Sequence, residues 1–166
     1  MTINKIPHEL KLNIYSYFVW KPINKEQLKN AVDEWCDNKK KAIKKYQHIS
    51  LWDTHDITDM SYLFKDYYYF NDNISYWNVS NVTDMSNMFY DCKIFNKSLN
   101  NWNVSNVTDM GYMFAYCQKF NHPLNNWNVL NVINMKNMFD DCNKLNDLNV
   151  LNIQKYRDIL EDDSLW

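Results

Sequence analysis

The feature that most constrains the fold is a repeat of 25 residues, which recurs four times between residues 52 and 146. Tryptophan, methionine and phenylalanine each return at the same place in every repeat, which indicates internal duplication. A unit of this size cannot bury its apolar face alone, so the repeats must stack on one another. The columns are Trp52, Trp77, Trp102 and Trp127; Met60, Met85, Met110 and Met135; and Phe64, Phe89, Phe114 and Phe139.

The spacing inside one repeat predicts a short strand, a corner and a short helix. Trp102 and Val104 alternate with polar neighbours, as in a strand with one buried face. A helix face is indicated by four apolar residues at i, i+3, i+4 and i+7, namely Met110, Met113, Phe114 and Cys117. The period therefore predicts an α/β repeat, a leucine-rich-repeat-like solenoid of about four 25-residue coils. A parallel β-helix stays open if the methionine-rich segment is not helical.

Both ends of the repeat array are predicted to be capped, because an end coil would otherwise expose its core. Glu26 to Tyr46 is predicted to be helical, with Leu28, Ala31, Val32 and Trp35 on one face and Trp35 packed on the first coil. A polar closing helix is predicted from Gln154 to Asp162. The expected organisation is an N-terminal helix (1–20), a helical lead-in (21–50), the solenoid (51–150) and a C-terminal cap (151–166).

Charge and hydropathy exclude several classes of function. With 18 basic and 20 acidic side chains, the chain lacks the basic footprint of a nucleic-acid-binding protein. No stretch approaches the roughly 20 apolar residues of a membrane span, and no signal peptide follows Met1. Cysteines without a secretory signal are expected to stay reduced. We therefore expect a cytoplasmic monomer.

Recurring polar and sulfur-bearing residues are better explained by packing and capping than by catalysis. The cysteine column (Cys92, Cys117 and Cys142) has no Cys-x-x-Cys pair and no recurring histidine to complete a zinc site. The aspartate column (Asp59, Asp84 and Asp109) is expected to cap the helices that follow it. No nucleophile, base and anion site occur together, so we predict no enzyme, no metal and no cofactor.

Recognition of a partner must come from positions that vary between repeats. Variation concentrates on the side of the predicted helices, where tyrosines recur, and tyrosine is favoured at protein interfaces. Two interpretations of these tyrosines stay open. They form a protein interface, or they only cover a glycine-poor surface. The tyrosines are Tyr62, Tyr68, Tyr90, Tyr112 and Tyr116.

The run from Trp77 to Phe89, Trp-Asn-Val-Ser-Asn-Val-Thr-Asp-Met-Ser-Asn-Met-Phe, returns almost unchanged from Trp102 to Phe114. It resembles the BspA-like leucine-rich repeat family, a domain of unknown function common in Mycoplasma lipoproteins and bacterial surface proteins. The resemblance covers about residues 24–146. It implies a right-handed solenoid used for adhesion or protein interaction, with no catalytic site.

The first 18 residues do not match that family. The stripe formed by Ile6, Leu10, Ile14 and Phe18, with Pro7 in the first turn, resembles the start of an F-box. That resemblance implies docking onto the Skp1 adaptor of ubiquitin ligases. An F-box-like start followed by such repeats is similar to proteins of giant DNA viruses, which implies the host cytoplasm as the location. A capping helix remains the alternative interpretation.

Together these features predict a non-catalytic protein–protein interaction module, with Skp1 as one candidate partner. The alternative is a structural or adhesive repeat protein whose N-terminal helix is only a cap.

Overall fold

A computed structural model describes residues 19–150 and residue 153 of the chain. Its regular elements are helix α1 (Lys25–Asp37), helix α2 (Lys39–Tyr46) and two 3₁₀ helices, Ile49–Leu51 and Asp147–Asn149. The predicted closing helix, from Gln154 to Asp162, lies outside the described residues.

The residues predicted to be helical, Glu26 to Tyr46, form helices, with a break at Asn38 that the sequence analysis did not predict. Asn24 caps the start of α1, and its side chain accepts a 2.9 Å hydrogen bond from the Gln27 amide. Asn38 then ends α1 by donating its amide to the Glu34 carbonyl, and its side chain caps α2. One asparagine therefore divides the helical region into two helices. The predicted buried face of α1 is confirmed, as Leu28, Ala31, Val32 and Trp35 are all buried.

The predicted solenoid of strand-and-helix coils is wrong. Between residues 52 and 150 the chain contains no strand and no α-helix, but a succession of turns. Successive units are joined by single parallel bridges rather than by a sheet. The bridges pair Asp59 with Asp84, Asp84 with Asp109, and Asp109 with Asn134.

The methionine-rich segment is not a helix because its amides alternate between two kinds of partner. The Met88 amide bonds the Met85 carbonyl three residues back, at 3.1 Å, which closes a turn. The next amide, that of Phe89, bonds a carbonyl of the following unit instead. The i→i−4 hydrogen bonds of an α-helix therefore cannot form. The inter-unit bonds run from the amides of Met85, Asn87 and Phe89 to the carbonyls of Asp109, Gly111 and Met113, each at 2.9 Å.

The predicted strand is absent because its polar residues bond the backbone locally. The Ser80 amide donates to Asn78 Oδ1 (3.1 Å), and the Val82 amide donates to the Val79 carbonyl (3.0 Å). These bonds use backbone amides that would otherwise be available for hydrogen bonds between strands of a sheet. The alternation of burial is nevertheless confirmed, because Trp77 and Val79 are buried and Asn78 is exposed.

The aspartate column has a different role from the predicted helix capping. No helix follows it, so each carboxylate instead accepts the amide two residues ahead, as in an Asx turn. Asp84 Oδ1 accepts from the Ser86 amide and Asp109 Oδ1 from the Gly111 amide, each at 2.8 Å. The carboxylates therefore bond backbone amides, as predicted, but these amides belong to turns and not to helices.

The core is a set of side-chain columns that run through the stacked units. Phe64, Phe89 and Phe114 are wholly buried, and the ring centroids of successive phenylalanines lie 5.4 Å apart. At the N-terminal end, the Trp35 ring meets the Trp52 ring at 6.0 Å. The predicted packing of Trp35 on the first unit is therefore confirmed.

Candidate protein-binding surface

The tyrosines singled out by the sequence differ in exposure. Tyr62 and Tyr68 are 48% and 42% exposed. Tyr90, Tyr112 and Tyr116 are half-buried. All five therefore lie at the surface, where their rings combine apolar area with a polar tip.

Three of these tyrosines lie at unusual backbone positions. Tyr62, Tyr112 and Tyr116 have φ angles of 61°, 57° and 63°, in the left-handed region that bulky residues rarely adopt. The equivalent places in the second unit hold Asn87 and Asp91, which have the same conformation. Because the conformation recurs in every unit, the turn architecture imposes it.

A single lysine joins tyrosines from two units. Lys65 Nζ lies 5.6 Å from the ring centroid of Tyr62 and 5.0 Å from that of Tyr90. The Tyr90 ring in turn meets the Tyr116 ring edge-on, with centroids 5.3 Å apart. We refer to Tyr62, Lys65, Tyr90 and Tyr116 as the tyrosine strip. It extends over three successive units and presents both aromatic surface and a positive charge.

One end of the strip lies beside acidic groups. The negative charge of Asp140 raises the pKa of Tyr116, with further contributions from Tyr90 and Asp141. A side-chain hydrogen bond to Asp140 acts in the same direction, so the Tyr116 hydroxyl already donates within the chain and offers a partner its ring and its acceptor oxygen.

The other two tyrosines are not joined to the strip by any ring contact among the described residues. Lys93 Nζ lies 4.6 Å from the ring centroid of Tyr68, so Tyr68 belongs to a separate group. Tyr112 occupies in the third unit the place that Tyr62 occupies in the first, with the same left-handed backbone. The structure therefore divides the five tyrosines, which the sequence analysis treated as one set.

Sequence reasoning missed a cleft of about 370 Å³ beside Tyr68. It forms where the end of α1 and the start of α2 meet the turn after Phe64 in the first unit. No local pattern indicates it, because its contacts join residues more than 30 positions apart, such as Trp35 and Asp72. The lining includes Trp35, Asp37, Lys39, Asp66, Tyr69 and Asp72.

The buried cysteine column has a structural role. Each cysteine donates its thiol to a backbone carbonyl of the preceding unit. Cys117 Sγ donates to the Phe89 carbonyl at 3.0 Å. The equivalent bonds join Cys92 to the Phe64 carbonyl and Cys142 to the Phe114 carbonyl. Burial is the main cause that raises the pKa of Cys142 to about 12, so its thiol remains protonated. In residues 19–150 and residue 153, no group of three or more metal-binding side chains is placed to hold an ion.

The proposed F-box-like residues, Ile6, Pro7, Leu10, Ile14 and Phe18, lie outside the described part of the chain. Within that part, no helix has the length and apolar character needed to cross a bilayer.

Comparison with known proteins gives one clear result. A family model described as "Mycoplasma protein of unknown function, DUF285" matches residues 27–153, which include most of α1 and all four repeat units. No curated protein and no solved structure matches the chain. The match spans well over half of the sequence, and the chain therefore belongs to the DUF285 family of Mycoplasma proteins of unknown function.

Proposed function

We propose that this chain is a non-catalytic protein-interaction module that binds its partner through the tyrosine strip. The observation that carries the proposal is the group of tyrosines around Lys65, drawn from neighbouring units. Side chains held by a packed stack lose little freedom on binding, so more of the contact energy contributes to affinity. Aromatic rings with a nearby cation are typical of the residues that dominate binding energy.

The test is capture of binding partners by three forms of the full chain. We expect the Tyr62→Ala/Tyr90→Ala variant to lose a partner that the unaltered chain retains. Tyr76→Ala is the matched control, because Tyr76 is 83% exposed and lies outside the strip. Equal capture by all three forms, with unchanged melting temperatures, contradicts the assignment of the strip.

The N-terminal stripe supports a second, finer proposal, recruitment of Skp1. Ile6, Leu10 and Ile14 recur every four residues, which is the spacing of a helix face that can dock on a partner. Purified Skp1 should bind the full chain, and Leu10→Asp with Ile14→Asp should abolish that binding. Failure of the unaltered chain to bind Skp1 overturns this proposal and leaves the tyrosine strip unaffected.

A structural or adhesive role is the alternative to partner recruitment. It is supported by the exposed asparagines Asn78, Asn103 and Asn128, which make one face nearly identical from unit to unit. Substitution of Asn103 and Asn128 should then reduce attachment to surfaces, whereas substitution of Tyr62 and Tyr90 should not. If the chain is an interaction module, substitution of Tyr62 and Tyr90 should reduce binding, whereas substitution of Asn103 and Asn128 should not.

A further inference from the structure

The cleft at the end of α1 has a rigid floor. Both oxygens of Asp72 are engaged, because Oδ2 accepts from Trp35 Nε1 at 2.8 Å and Oδ1 accepts from Lys39 Nζ at 2.9 Å. These bonds fix the indole and the carboxylate relative to each other across two parts of the chain. A site whose groups are held in place before binding loses less entropy when it is filled.

The rim of the cleft carries two carboxylates that form no ion pair among the described residues. Asp37 and Asp66 are exposed, and their carboxylates make no hydrogen bond or ion pair among the described residues. Lys39 is the only basic residue of the lining, and it is already paired with Asp72. The uncommitted charge of the cleft is therefore negative.

The position of Asp37 leaves its carboxylate without a cation from its own helix. Asp37 is the last residue of α1, and the last turn of that helix contains no basic residue. The negative end of α1 is offset by the positive end of α2, which begins at Lys39. The free carboxylate of Asp37 is therefore the group at this place that favours a cation.

The aromatic side chains of the cleft also suit a cation. Two lysines of the chain itself lie over its rings, with Lys39 Nζ 5.1 Å from the Trp35 centroid and Lys93 Nζ 4.6 Å from the Tyr68 centroid. Tyr69 is 85% exposed and has no such partner among the described residues. Its ring face is available to a cation from outside.

We propose that this cleft binds a lysine or arginine side chain of a partner protein. The cation lies between the carboxylates of Asp37 and Asp66, and its aliphatic stem packs on the Tyr69 ring. A cleft of about 370 Å³ is in the size range of sites that enclose a small ligand. The inference rests on the proposed function as an interaction module and specifies the partner chemistry, a basic exposed segment.

The experiment is a nuclear magnetic resonance titration of the full chain with a capped tetralysine peptide, and with capped tetraglutamine as the neutral peptide of equal length. We expect saturable shifts of the Trp35 indole and Tyr69 amide signals with tetralysine alone. Asp37→Asn/Asp66→Asn should weaken binding by about threefold or more, as two exposed ion pairs are lost. Glu26→Gln, an exposed carboxylate at the other end of α1, is the charge-matched control and should bind normally.

Three results overturn the proposal: no saturable shift with tetralysine, equal binding of tetraglutamine, or equal binding by the Asp37→Asn/Asp66→Asn variant with an unchanged melting temperature. The Tyr62→Ala/Tyr90→Ala variant separates this inference from the proposed function. If that variant loses its partner while tetralysine fails to bind the unaltered chain, the cleft assignment is wrong and the tyrosine strip stands.

Discussion

At the scale of single residues, short polar side chains add to the main-chain hydrogen bonds that join successive units. Asn71 Oδ1 accepts from the Asn96 amide and Asn96 Oδ1 from the Asn121 amide, each one unit further on. Asn106 Nδ2 donates to the Ser80 carbonyl at 2.7 Å. Asparagine can do this because it offers both a donor and an acceptor and tolerates turn conformations. The chain can therefore make repeated turns with a single glycine.

That glycine supports a first prediction. A Cβ atom on Gly111 would lie 2.8 Å from Asn134 Nδ2, which donates to both carboxylate oxygens of Asp109. Gly111→Ala should therefore displace the Asn134 amide and destabilise the fold by about 1 kcal/mol, at the low end of overpacking effects. Denaturant unfolding measures the change.

A double-mutant cycle provides the control for Gly111→Ala. Asn134→Ala removes the atom that the new methyl group meets, so its cost should be smaller in the Gly111→Ala background than in the unaltered chain. Additive effects would show that the two side chains do not interact.

Glu34 supports a prediction about pH. Lys41 and Lys45 lie 2.7 and 3.2 Å from its two oxygens, and the bond from Lys41 is the main cause that lowers its pKa from 4.5 to about 2. A depressed pKa means that the ionised group stabilises the fold above about pH 4.5, and that this contribution is lost as the pH falls toward 2. The stability difference between the unaltered chain and Glu34→Gln should therefore shrink between pH 4.5 and pH 2.

Chemical denaturation at several pH values tests this statement, with Glu26→Gln as the control for removal of an exposed carboxylate from the same helix. A difference between the unaltered chain and Glu34→Gln that stays constant from pH 7 to pH 2 contradicts the role given to the two lysines.

At the scale of elements, burial was predictable and conformation was not. Met110, Met113, Phe114 and Cys117 are wholly buried, as their spacing predicted, yet they lie in turns. A helix face and a series of turns can bury the same residues, so periodicity alone does not separate them. The segment forms turns because every second amide bonds a carbonyl of the next unit. Such bonds join residues far apart in the sequence, so local spacing does not predict them. The left-handed backbone at the tyrosines has only an indirect signal in the sequence, because the equivalent places of another unit hold Asn87 and Asp91, which tolerate that conformation.

The stacked columns make a core substitution informative. Trp102 is 3% exposed, donates its Nε1 to the Ile74 carbonyl, and stacks at 6.4 Å on Phe89 of the preceding unit. Trp102→Ala should cost about 3–5 kcal/mol, because it leaves a cavity that joins two units. That is a large share of the roughly 5–15 kcal/mol that stabilises a typical domain. A thermal melt unchanged by this substitution contradicts the stacking of the units.

At the scale of the whole molecule, α1 covers one end of the stack. Lys25 Nζ bonds Asp59 Oδ1 at 2.8 Å, the Tyr67 hydroxyl donates to Asp33 at 2.6 Å, and Trp35 reaches Asp72. These contacts follow the first unit along its length and also build the cleft. The sequence analysis predicted that Trp35 would pack there, but Asp72 is 37 positions away and nothing local links the two. The candidate cleft could therefore be found only from the structure.

The central claim is that the repeats are turns joined to the next unit, and not helices. Through-hydrogen-bond couplings measured by nuclear magnetic resonance test it most directly, because they identify the carbonyl that each amide bonds. The Phe114 amide should couple to the carbonyl of Met138, which lies 2.9 Å away in the next unit. Coupling of the Phe114 amide to the Met110 carbonyl, four residues back, is the helical result and would contradict the account.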